Sequence, residues 1–502
     1  MPQGLSLLIQ AGNPLIAIET ADEARAQKLV HDAALDCRRN LFEWSMTRGI
    51  KPVETTGNFD LDALDAKAVA ALEWIRDLAP DNSIYIFKDL APHGKDAQLH
   101  RTLRDILPKM PEWNATIVLV ESQPIPVELR RLTVLYEIGW PSHEELEEVV
   151  KSTFNKVRRA SKKEVVGNVT RRDVEQIVQT LRGLSCDQAE RVVAAAIYHD
   201  LCLTANDIAK IVEAKRTLLG TTGCLEAIAV DINIEEVAGL RALKAWLKQR
   251  RGGYTREARE FGLEPPRGVL MLGVPGCGKS LCAKAVAADW NMPLLRLDPG
   301  VLYQKYIGES ESQLRRALSQ AEAMAPVVLW IDEIEKAFAS ASEASADGGL
   351  SKRMFGTLLS WMQDHRHPIF TIATANDVSA LPPELMRKGR FDEVFFIDLP
   401  SRAVRQEVLS IHLKKRNRDP HKFDLSALAD ATEGYSGSEL EQVVISGLFE
   451  AFSAKSELAD QHLVAAVNTT KPLSGLAGEK VEALREWASG RCVDADAAAP
   501  RG

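Results

Sequence analysis

Cysteine is scarce in this chain of 502 residues, with seven in all and none spaced as CxxC or like zinc ligands. Cys37, Cys186, Cys202, Cys224, Cys277, Cys282 and Cys492 therefore read as reduced, mostly buried thiols of a cytoplasmic protein. That excludes a disulfide framework. Positive charge is not in excess either: 62 Lys and Arg stand against 70 Asp and Glu, a formal net charge of −8. Such a balance argues against a dedicated nucleic-acid binder, although it leaves a local basic patch open. No apolar run approaches the roughly 18 residues that a membrane-crossing helix needs, so no membrane span is expected. No basic stretch precedes an apolar one at the start, so no secretory signal is expected. Hydrophobic residues are plentiful at 45 %, ordinary for a globular chain with large cores. The length implies about three or four domain-sized units.

Gly273-Val274-Pro275-Gly276-Cys277-Gly278-Lys279-Ser280 reads GxxxxGKS. It follows the apolar run 269–272 and precedes Leu281 and a stretch of helical spacing to Ala287. Strand, glycine loop and helix form the context of a phosphate-binding loop. Glycines let backbone N–H groups wrap phosphates, and the helix N-terminus adds the positive end of its dipole. Lys279 is expected to reach the β- and γ-phosphates of ATP, and Ser280 to bind Mg²⁺. Cys277 lies beside Lys279 and a helix N-terminus, and both lower a thiol pKa. Its alkylation is expected to block nucleotide binding; the plainer reading is a small residue that fits the loop.

Downstream, Val327–Ile331 is an apolar run suited to a buried central strand, closed by Asp332 and Glu333. Carboxylates at the C-terminal end of a parallel strand sit where α/β folds place ligands. Asp332 is expected to hold Mg²⁺ through water, and Glu333 to polarise the attacking water. Alone such a pair is more often a solvated strand end; paired with the phosphate loop it becomes specific.

On these motifs, residues 234–452 resemble a AAA ATPase module of the protein-remodelling kind. The resemblance implies an α/β P-loop AAA+ fold, a parallel sheet between helices with a small helical lid. Glu236–Leu240 resembles the adenine-side motif of such modules, with Ala238 and Gly239 at its centre. Ile369–Asn376 is similar to the strand that ends in a sensor asparagine, so Asn376 is implied to orient the water. Leu381–Asp392 is similar to the arginine-finger segment, which implies that Arg387 and Arg390 reach a neighbouring subunit's nucleotide. Arginines in that role raise rates by about 10³–10⁵ in other nucleotidases. His412 matches a position that contacts adenine, and Gly437 and Ser438 match the start of the nucleotide-facing lid helix. No Arg or Lys lies between Lys422 and Lys455, so a sensor 2 arginine is absent, as in the remodelling clade. The resemblance therefore implies a homo-oligomeric ring, a hexamer formed or stabilised by ATP.

Tyr306-Ile307-Gly308 matches the pore loop with which such rings grip a threaded polypeptide; core or interface packing of Tyr306 is the alternative. An aromatic face is large, apolar and low in rotamer entropy, so it grips without regard to sequence. Ala339–Gly349 is small and polar, either a second pore loop or an inert surface loop. The blocks Trp290–Asp298, Leu329–Phe338 and Arg387–Phe396 resemble one AAA family in particular. It is the one first catalogued as hypothetical open reading frames of algal plastid genomes, with bacterial members. The likeness extends into the N-terminal half and to Thr470–Leu473.

The N-terminal half repeats this plan without the chemistry. Leu7–Gln10 and Leu15–Ile18 suggest a first strand, Ile84–Phe87 with Lys88 and Asp89 a second, and Ile117–Val120 with Glu121 and Ser122 a third. Pro126–Arg131 echoes Pro383–Arg387, Glu144–Phe154 reads as an amphipathic helix, and 170–216 has the periods of a lid bundle. No GxxxxGK occurs within 1–230. This half is expected to be a degenerate AAA-like module that binds no nucleotide; an unrelated α/β adaptor domain is the alternative. The expected division is a degenerate AAA-like domain over 1–140 and its lid over 141–225, with a hinge near 220–232. The ATPase core then spans 226–400, its lid 401–490, and a disordered tail 491–502. The reading implied is an ATP hydrolase that remodels or threads a protein or protein complex. An ATP-gated scaffold that recruits a partner through the N-terminal half is the alternative.

Overall fold

The computed structural model describes residues 2–55, 66–78, 81–94, 96–161, 164–222, 224–230, 232–298, 309–336, 348–379, 381–387, 389–476 and 478–497. Its contacts divide the chain into two units, Met1–Ala205 and Asn206–Gly502.

The first unit is built on β1 (Leu15–Glu19), β2 (Asn40–Ser45), β3 (Gly49–Glu54), β4 (Ser83–Lys88), β5 (Thr116–Glu121) and β6 (Val134–Leu135). They lie in the order β3-β2-β4-β5-β1-β6, parallel throughout except for the β2–β3 pair. The runs in β4 and β5 are apolar without alternation because both sheet faces are covered. One face stacks Phe42 on Tyr85 (ring centroids 5.4 Å apart) and Trp44 on Phe87 (5.2 Å). The other packs Ile16, Ile18, Ile84, Ile86 and Val118 against Val30 and Ala34 of the helix Glu23–Cys37. Of the suggested first strand only Leu15–Glu19 forms. Leu7–Gln10 lies in the helix Pro2–Gln10, where Leu5 and Ile9, one turn apart, are buried and Leu7 faces solvent. Three helices follow the sheet: His143–Ala160, Arg171–Leu181 and Cys186–Asp200. Each begins at a capping box, on Ser142, Thr170 and Ser185.

The second unit carries β9 (Leu225–Ile228), β10 (Gly268–Gly273), β11 (Leu294–Leu297), β12 (Val327–Ile331), β13 (Ile369–Ala375), β14 (Glu393–Ile397) and β15 (Val493–Asp494); β7 (Val166–Asn168) and β8 (Cys202–Thr204) form a small ladder in the first. The order is β15-β14-β10-β13-β12-β11-β9, with only β9 antiparallel to its neighbour. Set the edge strands aside and β14-β10-β13-β12-β11 repeats β6-β1-β5-β4-β2 of the first unit. The degenerate-module expectation thus matches the sheet topology, which an arbitrary α/β adaptor has no reason to share. A bundle of Arg402–Lys415, Leu425–Ala431, Gly437–Ser453 and Asp460–Thr469 forms the lid around Leu409, Leu413, Leu440, Val444 and Leu463.

The expected hinge and the division at Ala205 enclose one helix, Asp207–Thr222. Of the tail expected to be disordered over 491–502, the described residues 491–497 instead include β15 beside β14 and bury Ala495 at 1 % exposure. A two-residue edge pairing and one small core residue leave no period in a sequence.

Candidate functional site

β10 is fully buried and ends at Gly273. A Cβ on Gly273, at φ +148, would sit 2.0 Å from the carbonyl oxygen of Ile397 on β14. Only glycine lets the chain leave the sheet here. Residues 274–278 then turn, and the helix Lys279–Asp289 starts after Gly278 at φ +91. Its N-cap offers no side-chain oxygen, so the first N–H groups are free for an anion. Gly276 meets the lid: Ser438 N donates to its carbonyl (3.0 Å), and a Cβ would lie 2.2 Å from Ser438 Oγ.

Lys279 folds back, with its ammonium donating to the carbonyl oxygens of Gly273 (2.8 Å) and Val274 (2.9 Å). Burial pushes its pKa down to about 8. Cys277 corrects an expectation. Burial pushes its thiol up to about 11, and Lys279 opposes this without cancelling it. A thiol held protonated at neutral pH is a poor nucleophile, which favours the plain reading of Cys277 as a small residue that fits the loop.

β12 delivers Asp332 and Glu333 to the same cavity of about 290 Å³, which Lys279, Ser280, Thr374 and Asn376 also line. Ser280 Oγ lies 3.4 Å from Asp332 Oδ1, and Thr374 Oγ1 donates to that same oxygen at 2.7 Å. Glu333 is in the left-handed region (φ +48), and its N–H donates to Thr374 Oγ1 at 3.0 Å. For a non-glycine residue that conformation is strained, and it turns the carboxylate off the strand line. Asn376 Nδ2 donates to Glu333 Oε1 at 3.0 Å, and Lys336 holds the other oxygen. Sequence reasoning passed over Thr374 and Glu335. Glu335 accepts from the backbone N–H of Asn376 (2.9 Å), and burial raises its pKa. Neither had a motif signal beyond closeness to named residues.

A second cavity, about 540 Å³, takes in Ala238, Cys277, Leu281, His412, Gly437 and Ser438. His412 Nδ1 lies 3.3 Å from Glu441 Oε1, yet burial wins and lowers its pKa, which keeps the ring neutral. Gly239 N donates to Glu407 of the lid at 3.0 Å. Asp494, Ala495 and Asp496 also line this cavity, which nothing in the sequence announced.

Arg387 and Arg390 are not brought to either cavity. Arg387 is exposed, and Arg390 donates to the carbonyl of Glu384. Tyr306, Ile307 and Gly308 lie outside the described residues, as does most of Ala339–Gly349. Among the described residues no helix is long and apolar enough to cross a membrane.

Residues 269–399 match the ATPase family associated with various cellular activities (AAA). Residues 1–138 match the N-terminal domain of SpoVK-like AAA ATPases, and 144–222 their second domain. The proteasome-activating nucleotidase of Thermococcus gammatolerans is 36 % identical over 213 residues, 42 % of this chain and 53 % of its own. The cell division cycle protein 48 homolog of Archaeoglobus fulgidus is 34 % identical over 216 residues, 42 % of this chain and 29 % of its own. The AAA domain-containing protein ycf46 of Pyropia yezoensis is 32 % identical over 490 residues, 97 % of both chains. With both units so matched end to end, the chain belongs to the Ycf46 family of AAA domain-containing ATPases.

Proposed function

We propose that the chain is an ATP-driven, ring-forming AAA ATPase that remodels or threads a protein or protein complex. One observation carries the reading. Ser280, Asp332, Thr374, Glu333 and Asn376 connect in that order across one cavity, each within 3.4 Å of the next. Lys279 stands over them on the loop.

ATP and Mg²⁺ are the ligands this reading assigns. Ser280 and Asp332 form an all-oxygen donor pair of the kind Mg²⁺ takes, and the bound ion neutralises phosphate charge. Gly273–Ser280 cradle the phosphates, and Lys279 leaves two loop carbonyls to reach them. Glu333, held by Asn376, polarises the attacking water. Ala238, Gly239, Leu281, His412, Gly437 and Ser438 take the adenine side. Arg387 and Arg390, which line neither cavity of their own unit, act on a neighbour's nucleotide in a homo-oligomer, a hexamer by family resemblance. Phe449 and Phe452, 71 % and 83 % exposed on one face of a lid helix, support such an interface. Tyr306, Ile307 and Gly308 take the substrate-gripping role. We assign 1–140 and 141–225 to the degenerate module and its lid, 226–400 to the core and 401–490 to the working lid. Seven free cysteines support a reducing compartment such as the cytoplasm.

Native mass spectrometry with ATP, on the wild type and on Glu333→Gln, tests the reading. Closed rings that persist in the trapped variant are expected. A monomer that still hydrolyses ATP would remove Arg387 and Arg390 from the chemistry. It would bring forward a second reading, an ATP-gated scaffold, which the first unit's complete sheet without a phosphate loop favours. Tyr306→Ala separates the two, because a threading ring loses work output while a scaffold still assembles.

A further inference from the structure

The helix Arg241–Arg250 begins directly after the adenine-side motif, and its start has an unusual construction. Its N-cap is Leu240, which has no side chain able to accept from the first turn. Gly239 and Leu240 are both left-handed, at φ +62 and +54. A leucine held there is strained unless its surroundings fix it. The orphan N–H groups of a first turn must be met from elsewhere. Here the chain segment after β15 meets them. Ala495 O accepts from Ala242 N (3.0 Å) and Leu243 N (3.2 Å), and Asp496 Oδ1 from Arg241 N (3.3 Å). The segment is itself held to the sheet by Ala495 N donating to Phe396 O at 2.9 Å.

The opposite side of the same turn is held by the lid. Glu407 accepts from Gly239 N at 3.0 Å and pairs with Arg241 at 2.9 Å, and Lys415 pairs with Glu236 at 2.8 Å. The fit at Gly239 is close, for a Cβ there would meet Val404 at 2.9 Å and Asp496 Oδ1 at 3.2 Å. Residues 236–241 are thus clamped between a lid helix and residues 494–496, and both sides line the 540 Å³ cavity.

We propose that Asp494–Asp496 are part of the nucleotide site, walling its adenine end and positioning the Val237–Leu240 backbone that meets the base. The proposal rests on the ATP-binding reading above. Ala495 and Asp496 are positioning residues. They shape the base end and have no part in the phosphate cavity, where none of the three is found.

That separation supplies the test: calorimetric titration of the full chain with Mg·ATP and, separately, with inorganic tripolyphosphate. Ala495→Glu puts a charge into a buried contact and is expected to weaken ATP about tenfold; Asp496→Ala, losing one cap, about threefold. Tripolyphosphate affinity is expected to stay within about twofold of wild type in both. Because Asp496 is only half-buried, its variant keeps the test decisive should Ala495→Glu misfold. ATP affinity unchanged in Asp496→Ala, or equal losses for both ligands, overturns the proposal. A wild type that binds tripolyphosphate and ATP equally also overturns it, and one that binds neither sinks the ATP reading beneath it.

Discussion

The two units share a sheet order and a strand-end geometry, and they part at the loop where the second unit's glycine motif stands. Asp89 follows β4 at φ +50, as Glu333 follows β12 at φ +48. Ser122 Oγ donates to Asp89 Oδ1 at 2.7 Å, as Asn376 Nδ2 does to Glu333. Laid on one another by these residues, Lys88 falls where Asp332 stands, and the cross-strand pair Glu19–Glu121 where Leu272–Ala375 stands. The loop differs most. Only residues 20–22 join β1 to its helix, against 274–278 in the second unit. Asp22 accepts from Arg25 N (3.3 Å) at the start of that helix and from Cys186 N (2.9 Å) at the start of another. Lys88 sits between Glu23 (2.8 Å) and Glu43 (2.6 Å). A carboxylate thus occupies the helix N-terminus that the second unit leaves without a side-chain cap, and an ammonium stands at the position that Asp332 holds there. Arg25 adds a bond to Glu145 at 2.9 Å. The lesson is that one scaffold can carry its counter-charges internally or borrow them from a ligand. Only the second arrangement can be emptied and refilled.

The largest effect that bears on this contrast is at the paired acids. Glu333→Gln is expected to cut phosphate release by about 10²–10⁴ while nucleotide stays bound. Asp89→Asn, its counterpart, should leave turnover within about twofold. Steady-state phosphate assays on both decide it, and comparable losses would mean that the first unit shares in the chemistry. A middle-sized effect is expected from Asp22→Ala, which removes one acceptor from two helix starts and should cost the first unit about 1–2 kcal/mol. Hydrogen exchange should quicken at the starts of Glu23–Cys37 and Cys186–Asp200 and stay unchanged in the loop 274–278. Unaltered exchange at Cys186 would break the picture of an internal anion.

The smallest effect concerns Glu121, whose two oxygens accept from Leu90 N and Ala91 N at 2.9 Å each. Burial outweighs those bonds and raises its pKa from 4.5 to about 7. Because the folded value lies above the unfolded one, its contribution to stability is full below about pH 4.5 and is lost as pH rises through 7. Carbon-13 NMR of the labelled carboxyl should titrate near 7. A midpoint near 4.5 would place Glu121 in water and make its strand end unlike the enclosed one at Ala375.

The meeting of the glycine loop, the acid pair after β12 and Asn376 was legible in the sequence because each motif depends on contiguous residues. Glycines there permit backbone angles that a Cβ forbids, and an unbroken apolar run marks a strand covered on both faces. Of the repeated strands of the first unit, β1, β4 and β5 were legible for the same reason, down to Lys88–Asp89 and Glu121–Ser122, whereas β2 and β6 were not read. Leu7–Gln10 misled because a short apolar run carries no clear period until its neighbours bury one side of it. The expected lowering of the Cys277 thiol pKa failed because a nearby lysine is visible in a sequence whereas desolvation is not. Asp22 and Cys186 are 164 residues apart, and Arg241 and Asp496 are 255. Backbone permission and burial pattern are local properties, so the chain alone determined where the glycine loop and the acid pair stand. Which charges are enclosed, and which distant carboxylate caps which helix, depends on contacts that exist only once the chain has collapsed; those the tertiary structure decided.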